Sequence, residues 1–225
     1  MDFINTLMPN FERLSGELYE CIGQTFTMLA VSGSIAWVLG VAVGVLLTVC
    51  RSGGILENRW LFTIFDCGID IIRSIPFIIL IVLLIPVSRF LVGTGSGVTG
   101  SFVALVAGTV PFFARQIESV LADIDHGLIE ASQAMGFSPR EIIFSVYLRE
   151  SIPGITRVTM ITFVSLVGIT AIAGAIGAGG LGDFAIRYGY QMGYRDMIWL
   201  TVIIILLIIS VFQFFGNIII KKSTH

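Results

Sequence analysis

Residues 197–220 read MIWLTVIIILLIISVFQFFGNIII, a run without a charged side chain that ends at Lys221 and Lys222. As an α-helix rising about 1.5 Å per residue, it would be about 36 Å long. That length is enough to cross the roughly 30 Å hydrocarbon core of a bilayer. The run therefore predicts a membrane-spanning helix with a basic end.

Four further segments have the same apolar character, and with the first they give five predicted spans: 26–49, 69–91, 98–120, 158–176 and 197–220. The chain is 56% hydrophobic and 12% charged, whereas soluble domains carry about 25% charged residues. A soluble fold of 225 residues could not bury that much apolar surface. We predict an all-α polytopic membrane protein: a lead-in over 1–23, one transmembrane domain over 24–220 and a tail over 221–225.

Two features inside the spans bear on helix geometry. Pro76 and Pro86 interrupt span two and predict kinks there, because proline removes a backbone donor. Gly40 and Gly44 form a Gly-x-x-x-Gly pair in span one, which would let another helix approach closely. In a glycine-rich chain such a pair also arises by chance, so both interpretations stay open.

Charged residues at the ends of spans two and three form two groups. Asp66, Asp70 and Arg73 share one helix face, and Arg115 and Glu118 are three residues apart. An ion relay inside the membrane is one interpretation. We favour the other, in which these residues are salt-bridged faces at the cytoplasmic edge.

Basic residues predict the orientation of the chain. With the C-terminus inside, nine basic residues fall on the cytoplasmic side and four on the outer side, out of 13. Loops on the cytoplasmic side of membrane proteins are enriched in lysine and arginine. We therefore predict the N-terminus outside, the C-terminus in the cytoplasm, and the hydrophilic loop 123–153 in the cytoplasm.

Side chains for catalysis or metal binding are sparse. The cysteines and histidines lack the spacing of a metal site or disulfide framework: Cys21, Cys50, Cys67, His126 and His225. Neither a catalytic triad nor a Walker-type phosphate loop occurs in the sequence, so we predict a protein that is not an enzyme. Basic patches with interleaved aromatic residues are also absent from the sequence, and nucleic acid is not a predicted partner.

A glycine-rich stretch after span four formally matches a dinucleotide-binding fingerprint. It reads GAGGLG over residues 177–182, but a membrane span precedes it in place of the required strand. We predict instead a flexible backbone that lets spans four and five pack closely. We accordingly predict no bound cofactor.

The loop 123–153 predicts two short helices joined by a glycine turn. Asp125 can cap a helix that runs to Met135, with Gly136 as the residue after its C-cap. Ser138-Pro139-Arg140-Glu141 is a capping box with proline at the first helical position, so a second helix should run to about residue 148. Two interpretations of this protrusion stay open: it docks into a partner protein, or it is a solvated helical hairpin.

The residues of this loop resemble the EAA loop of ABC-importer permeases. Glu130-Ala131-Ser132, three residues, Gly136, nine residues and Val146-Tyr147-Leu148 follow that family's spacing. The departures are Ser132 for an alanine and Arg149 for the usual proline, with Pro153 four residues on. The loop also lies where the family requires it, on the predicted cytoplasmic side.

Three longer stretches narrow the resemblance to the methionine-importer permeases, a five-span group of the type I fold. They are RSIPFIIL at 73–80, IEASQAMGFSP at 129–139 and GAIGAGGLGDFAIRYGYQMGY at 174–194. The resemblance implies a homodimer in a bacterial cytoplasmic (inner) membrane. It further implies two cytoplasmic ATPase subunits that bind ATP, an external substrate-binding protein, and an amino-acid substrate.

The resemblance also implies roles for individual residues. The ATPase-coupling residues would be Glu130, Ala131, Ser132, Gly136, Val146 and Leu148. Small hydroxyls of span four either line a substrate path between two copies or make interhelical hydrogen bonds: Thr159, Thr162, Ser165 and Thr170. The predicted function is ATP-driven import of D- or L-methionine by alternating access. The alternatives are import of another amino acid such as cystine, or an ATP-independent channel subunit.

Overall fold

The computed structural model describes residues 10–223, which are helical almost throughout and contain no β-strand. The α-helices, in chain order, are α1 (Phe11–Cys50), α2 (Arg59–Ser74), α3 (Phe77–Leu83), α4 (Ile85–Val92), α5 (Gly97–Ala122), α6 (His126–Ala134), α7 (Pro139–Ile142), α8 (Leu148–Glu150), α9 (Ile152–Ala173), α10 (Gly180–Phe184) and α11 (Arg195–Ser223). Three π-helical segments continue α7, α9 and α10: Ile143–Tyr147, Gly174–Ala178 and Ala185–Gln191. The all-α prediction is confirmed.

Among residues 10–223, four helical stretches are long and apolar enough to cross a membrane: Phe11–Cys50, Gly97–Ala122, Ile152–Ala178 and Arg195–Lys222. They contain the predicted spans one, three, four and five. The first begins well before residue 26, so residues 11–23 of the predicted lead-in are turns of α1 itself. Residues 1–9 of that lead-in, and residues 224–225 of the predicted tail, lie outside the described part of the chain.

Predicted span two is divided into three helices instead of one kinked helix. The helix α2 ends at Ser74, and its C-cap Ile75 has the extended backbone (φ −84°, ψ 123°) that is favoured before a proline. A second break falls at Leu84, and Pro86 lies in the first turn of α4, where proline is tolerated. The predicted interruptions at the two prolines are confirmed, and α2 begins ten residues before the predicted start at 69.

The described residues form two compact units, the first of which comprises 10–35, 76–107 and 163–212. Its core has a cluster around Met28, Leu105 and Leu166, and a second around Leu18, Phe184 and Met197. The Gln24 and Thr25 side chains of α1 accept hydrogen bonds from the first amides of α10: Gly180 N at 2.7 Å and Leu181 N at 2.8 Å. These contacts hold the glycine-rich segment against α1.

The glycine-rich segment is closely packed on itself, and the predicted contact between spans four and five stays a prediction. Gly177, Gly179 and Gly180 have positive φ angles of 93°, 86° and 78°. A Cβ on Gly174 would lie 2.6 Å from the backbone nitrogen of Asp183, so the chain folds back on itself without room for a side chain. This segment is a close backbone turn between α9 and α10.

The second unit comprises residues 36–75, 108–162 and 213–223. Its main core packs α5 residues such as Phe113 and Ile117 against Ile142 of the hydrophilic loop and Val49 of α1. Gly40 and Gly44 lie directly against α5: a Cβ there would be 2.5 Å from Phe113 Cδ1 and 2.6 Å from Ile117 Cβ. The predicted glycine pair is therefore a helix contact.

Candidate functional site

The first helix of the 123–153 loop has the predicted caps. Oδ1 of Asp125 accepts the hydrogen bond of Gly127 N at 2.8 Å, and α6 ends at Ala134 with Met135 as its C-cap. Gly136 follows with φ +82°; its N–H donates to the Gln133 carbonyl, and the Phe137 N–H donates to the Ser132 carbonyl. This is a left-handed glycine termination of the kind that the sequence predicts.

The second helix begins at the predicted capping box. The Ser138 amide and hydroxyl both donate to Oε2 of Glu141 at 2.7 Å, and the Glu141 amide donates to the Ser138 hydroxyl. These bonds hold the pKa of the Glu141 carboxyl below its usual value, with the Ser138 side chain as the largest cause. The helix continues through the π-helical segment and α8 to Glu150, slightly beyond the predicted residue 148.

Arg149 stands at the position where the EAA pattern has proline, and the second helix continues through it. The turn comes two residues later at Ser151 (φ −88°, ψ 4°), and Pro153 then lies in the first turn of α9. A proline at 149 would lack the amide that a helix interior needs. The second helix therefore leads through Ser151 directly into α9.

One face of the loop is fastened to the membrane helices. Ile129, Ile142 and Val146 are buried in one cluster with Ile117 and Leu121 of α5. The Ser132 hydroxyl, also on the buried side, donates to the Leu128 carbonyl at 2.8 Å. Burial raises the pKa of the Tyr147 hydroxyl in the same cluster. The loop is therefore packed onto α5.

The six predicted coupling residues divide between the two faces. Glu130, Ala131 and Gly136 are exposed, whereas Ser132 and Val146 are buried and Leu148 is half-buried. The first three can contact a partner directly. The others hold the loop in position from inside.

Two apolar side chains beside Gly136 are exposed, and the EAA pattern does not include them. Met135 is 67% exposed and Phe137 40% exposed on either side of the glycine turn. In a lipid-facing span such exposure is ordinary, but in a polar loop it marks a contact surface. The helical period does not reveal them, because Leu128 and Met135 lie four residues before and three residues after the buried Ser132 and so share its face by period.

The predicted path hydroxyls lie in different environments. The Thr159 hydroxyl donates to the Ile155 carbonyl at 2.7 Å and accepts from the Trp37 indole at 3.2 Å, which is the interhelical bond of the alternative interpretation. Thr170 is buried and donates to the Val167 carbonyl at 2.8 Å. Thr162 is buried, with no partner for its hydroxyl among residues 10–223, and Ser165 is exposed on α9.

The two predicted charge groups are one cluster, which we call the Arg115 network: Asp66, Asp70, Arg115 and Glu118. The guanidinium of Arg115 donates to Asp66 Oδ1 at 2.7 Å, Asp70 Oδ1 at 2.9 Å and Glu118 Oε2 at 2.8 Å. Arg73 lies at the margin, 4.0 Å from Asp70. The predicted salt bridges are present in this network, which joins α2 to α5, and its place at the cytoplasmic edge stays a prediction.

Comparison with known proteins decides the family. Residues 38–224 match the family described as binding-protein-dependent transport system inner membrane component. The chain belongs to this family. It is 38% identical over 221 residues to the probable D-methionine transport system permease protein MetI of Vibrio cholerae, covering 98% of each chain. It is 46% identical over 134 residues to the D-methionine permease MetI of Salmonella typhimurium, covering 60% of this chain and 62% of that protein.

A solved structure supports the same family at the level of the fold. The chain matches one described as inward-facing conformations of the MetNI methionine ABC transporter, with a TM-score of 0.91 and 40% identity. The match covers 95% of this chain and 99% of that one. The type I permease fold and the resemblance to methionine permeases are thus confirmed, and the chain is an inner-membrane component of a transport system.

Proposed function

We propose that this chain is the membrane-spanning subunit of an ATP-driven importer of methionine, as D- or L-isomer. The observation that carries the proposal is the similarity to the D-methionine permease of Vibrio cholerae over 98% of both chains. The geometry of the 123–153 loop, which we call the coupling loop, agrees with the proposal. In this proposal ATP is bound and hydrolysed by a separate cytoplasmic ATPase, and the chain itself contributes no catalytic group and binds no cofactor.

The complex in this proposal has two copies of the chain, two ATPase subunits and an external substrate-binding protein. An inward-facing structure of a methionine ABC transporter with the same fold supports the ATPase partner and the paired permease. Five spans leave little room for an enclosed amino-acid path inside one copy. Two copies can enclose it between them, with the exposed Ser165 of α9 as the candidate path residue.

The coupling loop supplies the docking surface. Glu130, Ala131 and Gly136 face outward with the apolar Met135 and Phe137 beside them, so the surface suits an apolar cleft in the ATPase. Closure of the ATP-bound ATPase pair would draw the two loops together. Because Ile129 and Ile142 pack on α5, that movement passes to the membrane helices and rocks them toward the outward-open state.

The test of the substrate is uptake of radiolabelled L-methionine by the reconstituted transporter, with its ATPase and binding protein. Unlabelled L-methionine, D-methionine and cystine serve as competitors. We expect either methionine isomer to reduce uptake and cystine to leave it unchanged. Uptake of labelled cystine without uptake of labelled L-methionine would assign another amino acid, and uptake that needs no ATP would assign a channel subunit.

A further inference from the structure

The second unit contains an ionic cluster in which one arginine binds three carboxylates. Arg115 is 27% exposed and holds three carboxylates within 2.9 Å, and Glu118 is 16% exposed. Charged groups at membrane depth or at its edge are costly unless they are paired. The planar fork of arginine can satisfy several carboxylates at once, which a lysine ammonium does less well.

The network is a principal attachment of α2. Ile69 is the buried residue of that helix, in a small cluster with Leu47 of α1 and Ala114 of α5. Leu61, Phe62 and Phe65 of α2 are half-buried against the apolar clusters of this unit, whereas Trp60 and Ile64 are exposed. Asp66 and Asp70 lie one turn apart on α2, and both are bound by the same guanidinium of α5.

On α5, residues on either side of Arg115 belong to the cluster that contains residues of the coupling loop. Arg115 lies between Phe113 and Ile117 on α5, and both of these are buried in the cluster that also contains Ile129 and Ile142. On the α2 side, the chain continues through Ile75 directly into Pro76 and α3. A continuous series of contacts therefore runs from the coupling loop through α5 and Arg115 to the start of span two.

We propose that Arg115 is a positioning residue that transmits movement of the coupling loop to α2, and through it to span two. This inference rests on the proposed function. Apolar contacts carry no directional bond, whereas the two charge-assisted bonds of Arg115 tie Asp66 and Asp70 to one position on α5, so that the helices move together. Such coupling requires one structural element whose position depends on both the coupling loop and span two. Here that element is the α2–α5 pair.

The test compares Arg115→Gln with Arg73→Gln, a matched control because Arg73 makes only the 4.0 Å contact to Asp70. The assembled complex, with its ATPase and external binding protein, is reconstituted in proteoliposomes. ATPase co-purification, ATP hydrolysis and L-methionine uptake are measured together. We expect Arg115→Gln to keep assembly and ATP hydrolysis while methionine moved per ATP falls about tenfold. Arg73→Gln should keep the wild-type ratio.

A second variant distinguishes loss of transmission through Arg115 from repulsion among the carboxylates that Arg115→Gln leaves unpaired. Arg115→Gln combined with Asp66→Asn, Asp70→Asn and Glu118→Gln removes every charge of the network. If the single variant does not assemble, the ratio is measured on this neutral variant, where we expect the same fall. A wild-type ratio, or hydrolysis and uptake lost together in both variants, would overturn the inference. Gly136→Val tests the coupling loop separately, so failure of the proposed function remains distinguishable.

Discussion

Gly136 shows how one backbone angle can determine a docking surface. Its φ of +82° lies in the left-handed region, and no atom outside the local chain is within 4 Å of an added Cβ. A substitution there therefore strains the backbone without a steric clash. For an L-residue the strain is about 1–2 kcal/mol. The sequence predicted both the position and the conformation, because a C-terminal glycine cap is a local feature.

We expect Gly136→Val to insert into the membrane and dimerise normally but to lose ATPase co-purification and ATP-driven uptake. The strain reorients α6 against α7, whereas the membrane helices keep their own hydrogen bonds. Glu130→Ala should be milder, since it removes one exposed side chain. Gly53→Val is the matched control, with φ +77° and open space in another loop. Wild-type uptake by Gly136→Val would mean that this loop is not the coupling element.

Met135 carries a second prediction at the residue scale. Its side chain is 67% exposed beside Gly136, and burying it in an ATPase cleft would be worth up to about 1.5–3 kcal/mol. We expect Met135→Asp to weaken ATPase co-purification strongly and to reduce uptake in parallel. Met192→Asp, at a methionine 54% exposed in the loop before α11, should leave co-purification unchanged. Equal behaviour of the two variants would exclude Met135 as an anchor.

At the scale of elements, packing of α1 on α5 depends on its glycines. A Cβ on Gly44 would lie 2.6 Å from Ile117 Cβ and 2.8 Å from the Ala114 carbonyl oxygen, so the helices cannot keep their distance. Overpacking of this kind costs about 1–3 kcal/mol. We expect Gly44→Leu to lower the unfolding temperature of the purified protein.

Gly23→Leu is the control for this prediction on the same helix. A Cβ there has no neighbour within 4 Å, and replacing glycine inside a helix improves helix propensity by up to about 1 kcal/mol. Its unfolding temperature should equal or exceed that of the wild type. A larger loss at Gly23 than at Gly44 would contradict the assigned α1–α5 contact.

At the scale of the whole molecule, the orientation rests on the distribution of basic residues, nine against four. Cysteine labelling can test it in a Cys67→Ser background, because Cys67 is the exposed native cysteine while Cys21 and Cys50 are buried. We expect Ser138→Cys to react only with membrane-permeant reagents. Ser96→Cys should react with impermeant reagents from outside, and the reverse pattern would reject the proposed topology.

The sequence by itself determined the features that depend on neighbouring residues. A long uncharged apolar run predicts a membrane helix whatever elements surround it. Pro76 interrupts a helix because proline has no backbone N–H to donate. The caps at Asp125, Ser138 and Gly136 join groups within a few residues. These predictions therefore match the structure closely.

The tertiary structure decided what depends on helix packing. Arg115 and Glu118 were correctly placed on one face, but the bonds of Arg115 to Asp66 and Asp70 cross 49 and 45 residues. Likewise, α9 carries Thr162 buried and Ser165 exposed, a difference that residue type cannot reveal. Helical period places residues on common faces, but which face meets another helix follows from the packing of elements distant in the chain.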